Sequence, residues 1–297
     1  MKKSLTGLLG VAVLALATVA APAPPGAAAP VSGPDTSARA NAGNIVAVTH
    51  NLSGGQYYTG RLEAIALAEQ IMDNRDPDVM ALQEVCESQA HKLFDDMLYL
   101  RQGNERYFVV WYGFKTQAAC GGTGVLGNAV AVRMEYPIPS YFRYQLPGDT
   151  TDHGMACADF VKEDKWIRAC STHLIAGGSA SDGTRLEQAR SIKYSTQAWM
   201  GQGYRVLVGG DFNSAPTSDV TKALNHLTND ANPFVDADSQ SKPPNATKRG
   251  TFCTGSWNEK LDYLYFSHTM TKTKQLTTQF MSNCSDHRMI LGTGPLT

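Results

Sequence analysis

The stretch VLVGGDFNSAP, Val206 to Pro216, sets a carboxylate and an amide, Asp211 and Asn213, directly after a run of strand-like apolar residues. Asp and Asn are ordinary turn residues, and Gly-Asp-x-Asn alone is compatible with an Asx-turn. On an extended backbone, however, residues two apart point to the same side. The pair is therefore also placed to converge on one point, and the rest of the chain decides between the two readings.

Polar residues recur at the ends of other apolar runs. Asn51 ends VTHN, Glu84 follows five buried-looking residues in ALQEV, and His173 ends RACSTH. Asp262 interrupts KLDYLYF, and Asp286-His287 opens the run DHRMI. Taken one at a time, each has a structural explanation as a solvated strand end, a satisfied core histidine or a turn. Taken together they gather carboxylates, imidazoles and amides where layered α/β domains collect ligands and catalytic groups.

Between these points the chain alternates. NIVAVTHNL, DVMALQEV, RYFVVWYGF, NAVAVR, YRVLVGGDFN, KLDYLYFS, TKTKQLTTQF and DHRMILGTG read as strands. GRLEAIALAEQIMDNR carries apolar residues near helical spacing and is stopped by Asp76-Pro77. SQAHKLFDDMLYLRQ, with Ser88 as its cap, DGTRLEQARSIKYSTQAWMGQ and SDVTKALNHL are the other helices. Strands outnumber helices and hairpins mix with crossovers, so the class is α/β or α+β with mixed sheets.

Oxygen-rich donors without a cysteine ligand suit Mg²⁺, Mn²⁺ or Ca²⁺ better than Zn²⁺. Magnesium on one or two carboxylates and a substrate phosphate is the usual arrangement for phosphoryl chemistry. Histidines and amides beside it stabilise charged oxygens and orient water.

THN, QEV, STHL, GGDFN, LDYLYF and SDH occur in an order, between residues 44 and 294, that resembles the endonuclease/exonuclease/phosphatase superfamily. The resemblance implies a four-layer α/β/β/α sandwich of two packed mixed sheets, with the site at one edge. It implies Glu84 as principal metal ligand with Asn51 beside it, and Asp286 as a further metal-proximal carboxylate. Asp211 is then the residue that orients or deprotonates water, and Asn213 the phosphate-binding amide. His287 contacts the phosphate, with Asp262 holding its imidazole, and His173 binds phosphate or protonates the leaving oxygen. Arg185, in TRLEQAR, falls where it could reach a phosphate or remain a solvated helix charge. His153, in TDHGM, stands where many relatives carry an arginine, a weaker cationic contact at neutral pH. The expected cofactor is Mg²⁺, with Mn²⁺ and Ca²⁺ as alternatives.

The substrate stays open at this level. A DNase-like extracellular endonuclease is favoured. A sphingomyelinase-type phospholipase C, or a lipid or inositol phosphate phosphatase, is the alternative. Tyr57, Tyr58 and Trp257 lie in candidate loops that suit a membrane or a base equally. Lys and Arg number 26 against 27 Asp and Glu, so no basic excess announces nucleic acid. A monomer without an obligate protein partner is expected.

The chain opens with Lys2-Lys3, an apolar run from Leu5 to Ala21 and an Ala/Pro-rich stretch. This reads as a secretory signal peptide within residues 1–29, cleaved after Ala21 or Ala29. Residues 30–43 then form a flexible leader, and 44–297 a single catalytic domain. Six cysteines in an exported chain favour disulfides. A hairpin centred on Glu163-Asp164 sets Cys157 opposite Cys170, within bridging reach. Cys86–Cys120 and Cys253–Cys284 are the economical remainder. An Asn-x-Thr glycosylation pattern occupies 245–247.

Overall fold

The computed structural model describes residues 43–56, 59–99, 107–121, 124–148, 153–226, 229–237, 260–270 and 277–296, all within the compact unit Ser37–Thr297. The expected signal peptide and leader, Tyr57, Tyr58, Trp257, the 245–247 acceptor and Cys253 lie outside the described residues. So, with Cys253, does the expected Cys253–Cys284 bridge.

Among the described residues, twelve strands form two six-stranded sheets. In the first, β1 (Asn44–Asn51) runs parallel to β2 (Val79–Cys86), with helix α1 (Glu63–Arg75) as the crossover. Strands β3 (Tyr107–Thr116) and β4 (Val125–Arg133) extend it antiparallel beyond β2; helix α2 (Glu87–Tyr99) connects β2 to β3. On the other side lie β12 (Arg288–Pro295) and then β11 (Thr277–Cys284).

The second sheet repeats the plan. Strand β7 (Lys165–His173) runs parallel to β8 (Arg205–Asp211) through helix α3 (Asp182–Gly201). Strands β6 (Gly154–Lys162) and β5 (Ser140–Gln145) flank β7, and β10 (Asp262–Ser267) and β9 (Phe234–Asp236) flank β8. A short helix, α4 (Asp219–Leu224), follows β8 and is capped by Ser218, whose hydroxyl accepts from the Thr221 amide.

Alternation along the strands decides the layering. Ile45 and Ala47 of β1 face inward and meet Ala156, Ala158, Ile167, Ala169 and Leu207 of the second sheet. Val48, Met80 and Leu82 face outward and pack with Ala64, Ile65, Ala68 and Met72 of α1 and Leu93 of α2. Val206, Val208, Tyr263 and Tyr265 do the same against Ile192 and Trp199 of α3. The result is the four-layer α/β/β/α sandwich the resemblance implied. Gly209 lets the sheets approach at its middle. A Cβ there would sit 2.7 Å from the Ala81 Cβ and 2.8 Å from the Thr49 Cβ.

One local expectation is revised, and two strands were not foreseen. Ser88 is not a helix cap, because α2 begins at Glu87 straight out of β2. Gln89 instead reaches back to accept the Cys86 amide at 2.9 Å, one half of a capping box. Two strands had no clear sequence signal: β5, an edge strand whose burial never becomes complete, and β9, only three residues long. Cys157 and Cys170 are directly opposed in the β6–β7 ladder and bonded, with a Cα–Cα distance of 4.1 Å. Cys86–Cys120 is also formed.

Candidate active site

The two central parallel pairs end at the same edge of the sandwich. In the first sheet the β1–β2 pairing ends at Asn51 opposite Gln83. In the second, His173 and Asp211 are register partners at the ends of β7 and β8, and Asp211 is paired again with Asp262 at the start of β10. Six residues named by the sequence, Asn51, Glu84, His173, Asp211, Asp262 and His287, are linked by direct side-chain contacts here.

Asp211 lies at the centre and uses its two oxygens differently. Oδ1 accepts the Asn213 backbone N–H at 2.8 Å, closing an Asx-turn. Oδ2 faces three nitrogens: Asn51 Nδ2 at 3.2 Å, His173 Nε2 at 3.5 Å and His287 Nε2 at 3.7 Å. The turn reading of GGDFN holds through Oδ1, while Oδ2 meets nitrogens from elsewhere in the chain rather than the Asn213 side chain. Burial and the neighbouring Asp262 push the Asp211 carboxyl above its ordinary range, against the pull of His287 and His173.

His287 is buried, with carboxylates facing both ring nitrogens. Nδ1 donates to Asp262 Oδ2 at 2.8 Å, while Nε2 faces Asp211 and lies 4.0 Å from Asp286 Oδ1. Burial alone would lower its pKa, but Asp262 and Asp211 outweigh it and raise the imidazole to about 10. The ring is therefore cationic at neutral pH, a donor at both nitrogens.

Glu84 occupies a left-handed backbone conformation, φ 51°, at a bulge where β2 loses register with β4 between Leu82 and Val85. That conformation costs about 1–3 kcal/mol for a residue with a side chain. The bulge turns the carboxylate out of the alternation and into the edge, where Oε1 accepts from Asn51 Nδ2 at 3.0 Å. Asn51 presents N–H rather than oxygen to the cluster, because its Oδ1 accepts the Ser53 amide at 2.8 Å. In this pose its Nδ2 bridges the carboxylates of Glu84 and Asp211.

Asn213 also leaves the extended path, at φ 48°, so the straight-strand geometry read from the sequence stops at Asp211. Its Nδ2 donates to Leu174 O at 3.0 Å. His153 lies in the cleft wall, with Nδ1 on the His173 carbonyl at 3.2 Å.

Arg185 does not reach the site. Its guanidinium is buried and donates to the carbonyls of Ile175, Gly177 and Gly178 and to Asp182 Oδ1, at 2.5–3.1 Å. Gln188 completes the clamp, accepting from Ile175 N at 3.1 Å and donating to Pro147 O at 3.2 Å. A planar fork with five donors satisfies a turn of carbonyls that a monodentate charge could not. The expected phosphate contact is thus corrected to a fastener of the loop after His173.

Beside Glu84 and His173 opens a cleft of about 230 Å³. Its wall includes Gln56, Phe114, Lys115, Gln117 and Asn128, residues that sequence reasoning passed over. Asn128 had a usable signal, an amide inside the apolar strand GNAVAV; the others sit on turns and strand ends whose position depends on the fold. A buried chain of Thr49, Gln83 and Ser171 underlies the edge, with Gln83 Nε2 on Ser171 Oγ at 2.9 Å, joining the two sheets beneath the carboxylates.

The donor set can be tested against a cation. Asp211, Asp262 and His287 each have a ligand atom within 4.8 Å of the others, and they are the one such group among the described residues; Glu84 and Asp286 are not members. Within that trio, however, Asp262 and His287 are bonded to each other and Asp211 Oδ2 is ringed by nitrogens. Glu84 keeps a carboxylate at the cleft wall. Hard carboxylate oxygens fit a hard divalent ion, and no thiolate competes among the described residues.

The sequence profile of the Endonuclease/Exonuclease/phosphatase family matches residues 48–287. Among curated proteins, none matches the sequence. Among solved structures, truncated Caenorhabditis elegans TDP2 is similar at TM-score 0.65 and 16% identity, over 85% of this chain and 98% of that one. The human Nocturnin catalytic domain with bound sulfate matches at TM-score 0.64 and 18% identity, over 86% and 95%. Danio rerio TDP2 complexed with single-strand DNA product matches at 0.61 and 14%, over 84% and 98%.

Proposed function

Because this chain belongs to the endonuclease/exonuclease/phosphatase family, we propose that it is a metal-dependent phosphodiesterase acting on nucleic acid outside the cell. The observation that carries the reading is the convergence of Asn51, His173 and His287 nitrogens on one oxygen of Asp211 at the strand ends. Glu84, with Asp286 as the further carboxylate the family resemblance implies, would hold a divalent ion, which supplies positive charge for the phosphoryl oxygens when bound.

This chain's own residues divide the remaining work. Asp211, with its raised proton affinity, takes up the proton of an attacking water better than an ordinary carboxylate. His287, held charged and aimed by Asp262, donates Nε2–H to a phosphoryl oxygen as negative charge develops. Asn213 holds a second oxygen with its amide, and His173, at the cleft mouth, protonates the departing oxygen. Attack is in line with that departure.

Nucleic acid is favoured because the cleft pairs an aromatic ring, Phe114, with amides and Lys115, groups suited to a base and a backbone phosphate. The relative that holds a single-strand DNA product supports the same choice. Two disulfides suit an oxidising compartment, and no helix among the described residues is long and apolar enough to cross a membrane.

The test is hydrolysis of plasmid DNA and of sphingomyelin liposomes, side by side, with Mg²⁺ or Mn²⁺ and with EDTA. EDTA-sensitive cleavage of DNA, reduced at least ~10²-fold in His287→Ala, is expected. Choline phosphate release without DNA cleavage would reassign the substrate to phospholipid. Cleavage undiminished by EDTA or by His287→Ala would remove the mechanism.

A further inference from the structure

The motif THN contributes Asn51 to the site, but the residue before it is as deeply placed. His50 is fully buried on the outward face of β1, the face it shares with Val48 and the apolar layer over α1. Its Nε2 lies 3.2 Å from the His287 carbonyl oxygen. A carbonyl only accepts, so Nε2 carries the proton and donates. Nδ1 has no hydrogen-bonding partner among the described residues. Burial pushes the imidazole down to about 4, so the ring is neutral, with one proton and one use for it.

Such a residue is a poor choice for stability. An unpartnered nitrogen in an apolar layer costs about 1–3 kcal/mol, and an apolar side chain of the same shape would avoid it. The compensation lies in what Nε2 holds. The β1–β12 ladder runs only as far as Thr49 opposite Ile290, so the turn bearing Asp286 and His287 projects past it. Side chains carry on where the ladder stops. Ser285 Oγ donates to Asn51 O at 2.6 Å and accepts from His287 N at 3.1 Å. His50 takes the carbonyl of the same residue, which the Ser285 backbone N–H also reaches at 3.2 Å.

We propose that His50 is a positioning residue for the Asp262–His287 pair: its Nε2–H holds the His287 carbonyl and so fixes the turn that aims that imidazole at Asp211. The kinetic arm of its test rests on the phosphodiesterase reading, and the spectroscopic arm does not. In full-length ¹⁵N-labelled protein, the His287 Nδ1 proton bound to Asp262 is followed as a low-field imidazole resonance, assigned by its loss in His287→Ala.

His50→Phe, with His50→Leu as a second apolar variant, should shift or broaden that resonance without lowering the melting temperature. kcat should fall about tenfold or more, since small misplacements at a reacting centre are costly, while KM stays within about twofold. His50→Gln places an amide N–H where Nε2 was and should restore the resonance and bring kcat to within about threefold of wild type. An unchanged resonance and rate in the apolar variants overturns the proposal, as does His50→Gln being as impaired as His50→Phe. If wild type turned over no phosphodiester, the functional reading would fail, and the resonance alone would still decide the role of His50.

Discussion

Asp211 serves two geometries at once: its Oδ1 closes a turn while its Oδ2 collects nitrogens. The sequence made such positions legible because a charge at the end of an apolar run is conspicuous. What each group does once there was less legible. Nothing local announces that Asn51 turns its oxygen to Ser53, or that Glu84 takes a positive φ; both follow from how the chain leaves the sheet. The His287–Asp262 pair carries a pH prediction. His287 is raised from 6.5 to about 10 in the folded protein. Its contribution to stability is therefore complete below 6.5 and is lost as pH rises through about 10. In EDTA-treated protein, the melting temperature should fall over that window, and Asp262→Asn should flatten the fall by removing the carboxylate that does most to raise the imidazole. Parallel melting curves for the two proteins would show that Asp262 does not set the charge of His287.

The central strands that position these groups read as near-continuous apolar runs because they are buried on both faces. β1, β2, β7 and β8 were readable for that reason. β5 was not, since SYFRYQ lies at a sheet edge and never becomes fully buried. The loop after β7 was the least legible piece, for its shape is set by α3 from behind. Arg185 and Gln188 fasten Ile175, Gly177 and Gly178, and Ile175 and Ala176 line the cleft. Arg185→Ala should cost about 1–3 kcal/mol by stripping buried carbonyls of a charged donor. Arg185→Lys should recover only part, because an ammonium cannot span the same acceptors. Equilibrium denaturation checks this directly. The salt dependence of KM separates the clamp from a phosphate contact: it should match wild type in Arg185→Ala, whereas loss of a phosphate contact would flatten it.

At the scale of the molecule, two sheets built on the same plan bring the ends of two parallel pairs to one edge, and the strand order that does so has no local signature. Segments were identifiable one by one; the meeting of Thr49, Ala81 and Gly209 across the interface depends on both sheets at once. The two disulfides act on this architecture differently. Cys157–Cys170 joins neighbouring strands already paired along their length, across 13 residues of sequence. Cys86–Cys120 spans 34 residues and ties the end of β2, two positions after Glu84, to the short turn Ala118–Cys120 beside Gln117 in the cleft wall. Loop-closure entropy assigns about 3 kcal/mol to the first and about 4 kcal/mol to the second. Replacing both cysteines of a pair by alanine should therefore destabilise comparably in the two cases. Activity should separate them. Cys157→Ala/Cys170→Ala should keep near-wild-type kcat at temperatures where it is folded, because the ladder holds the hairpin. Cys86→Ala/Cys120→Ala should lose turnover and need more Mg²⁺ for half-maximal rate, because the Glu84 bulge and the cleft wall are no longer joined. Equal metal requirements in the two double variants would mean that the β2 bulge holds Glu84 without help from the bridge.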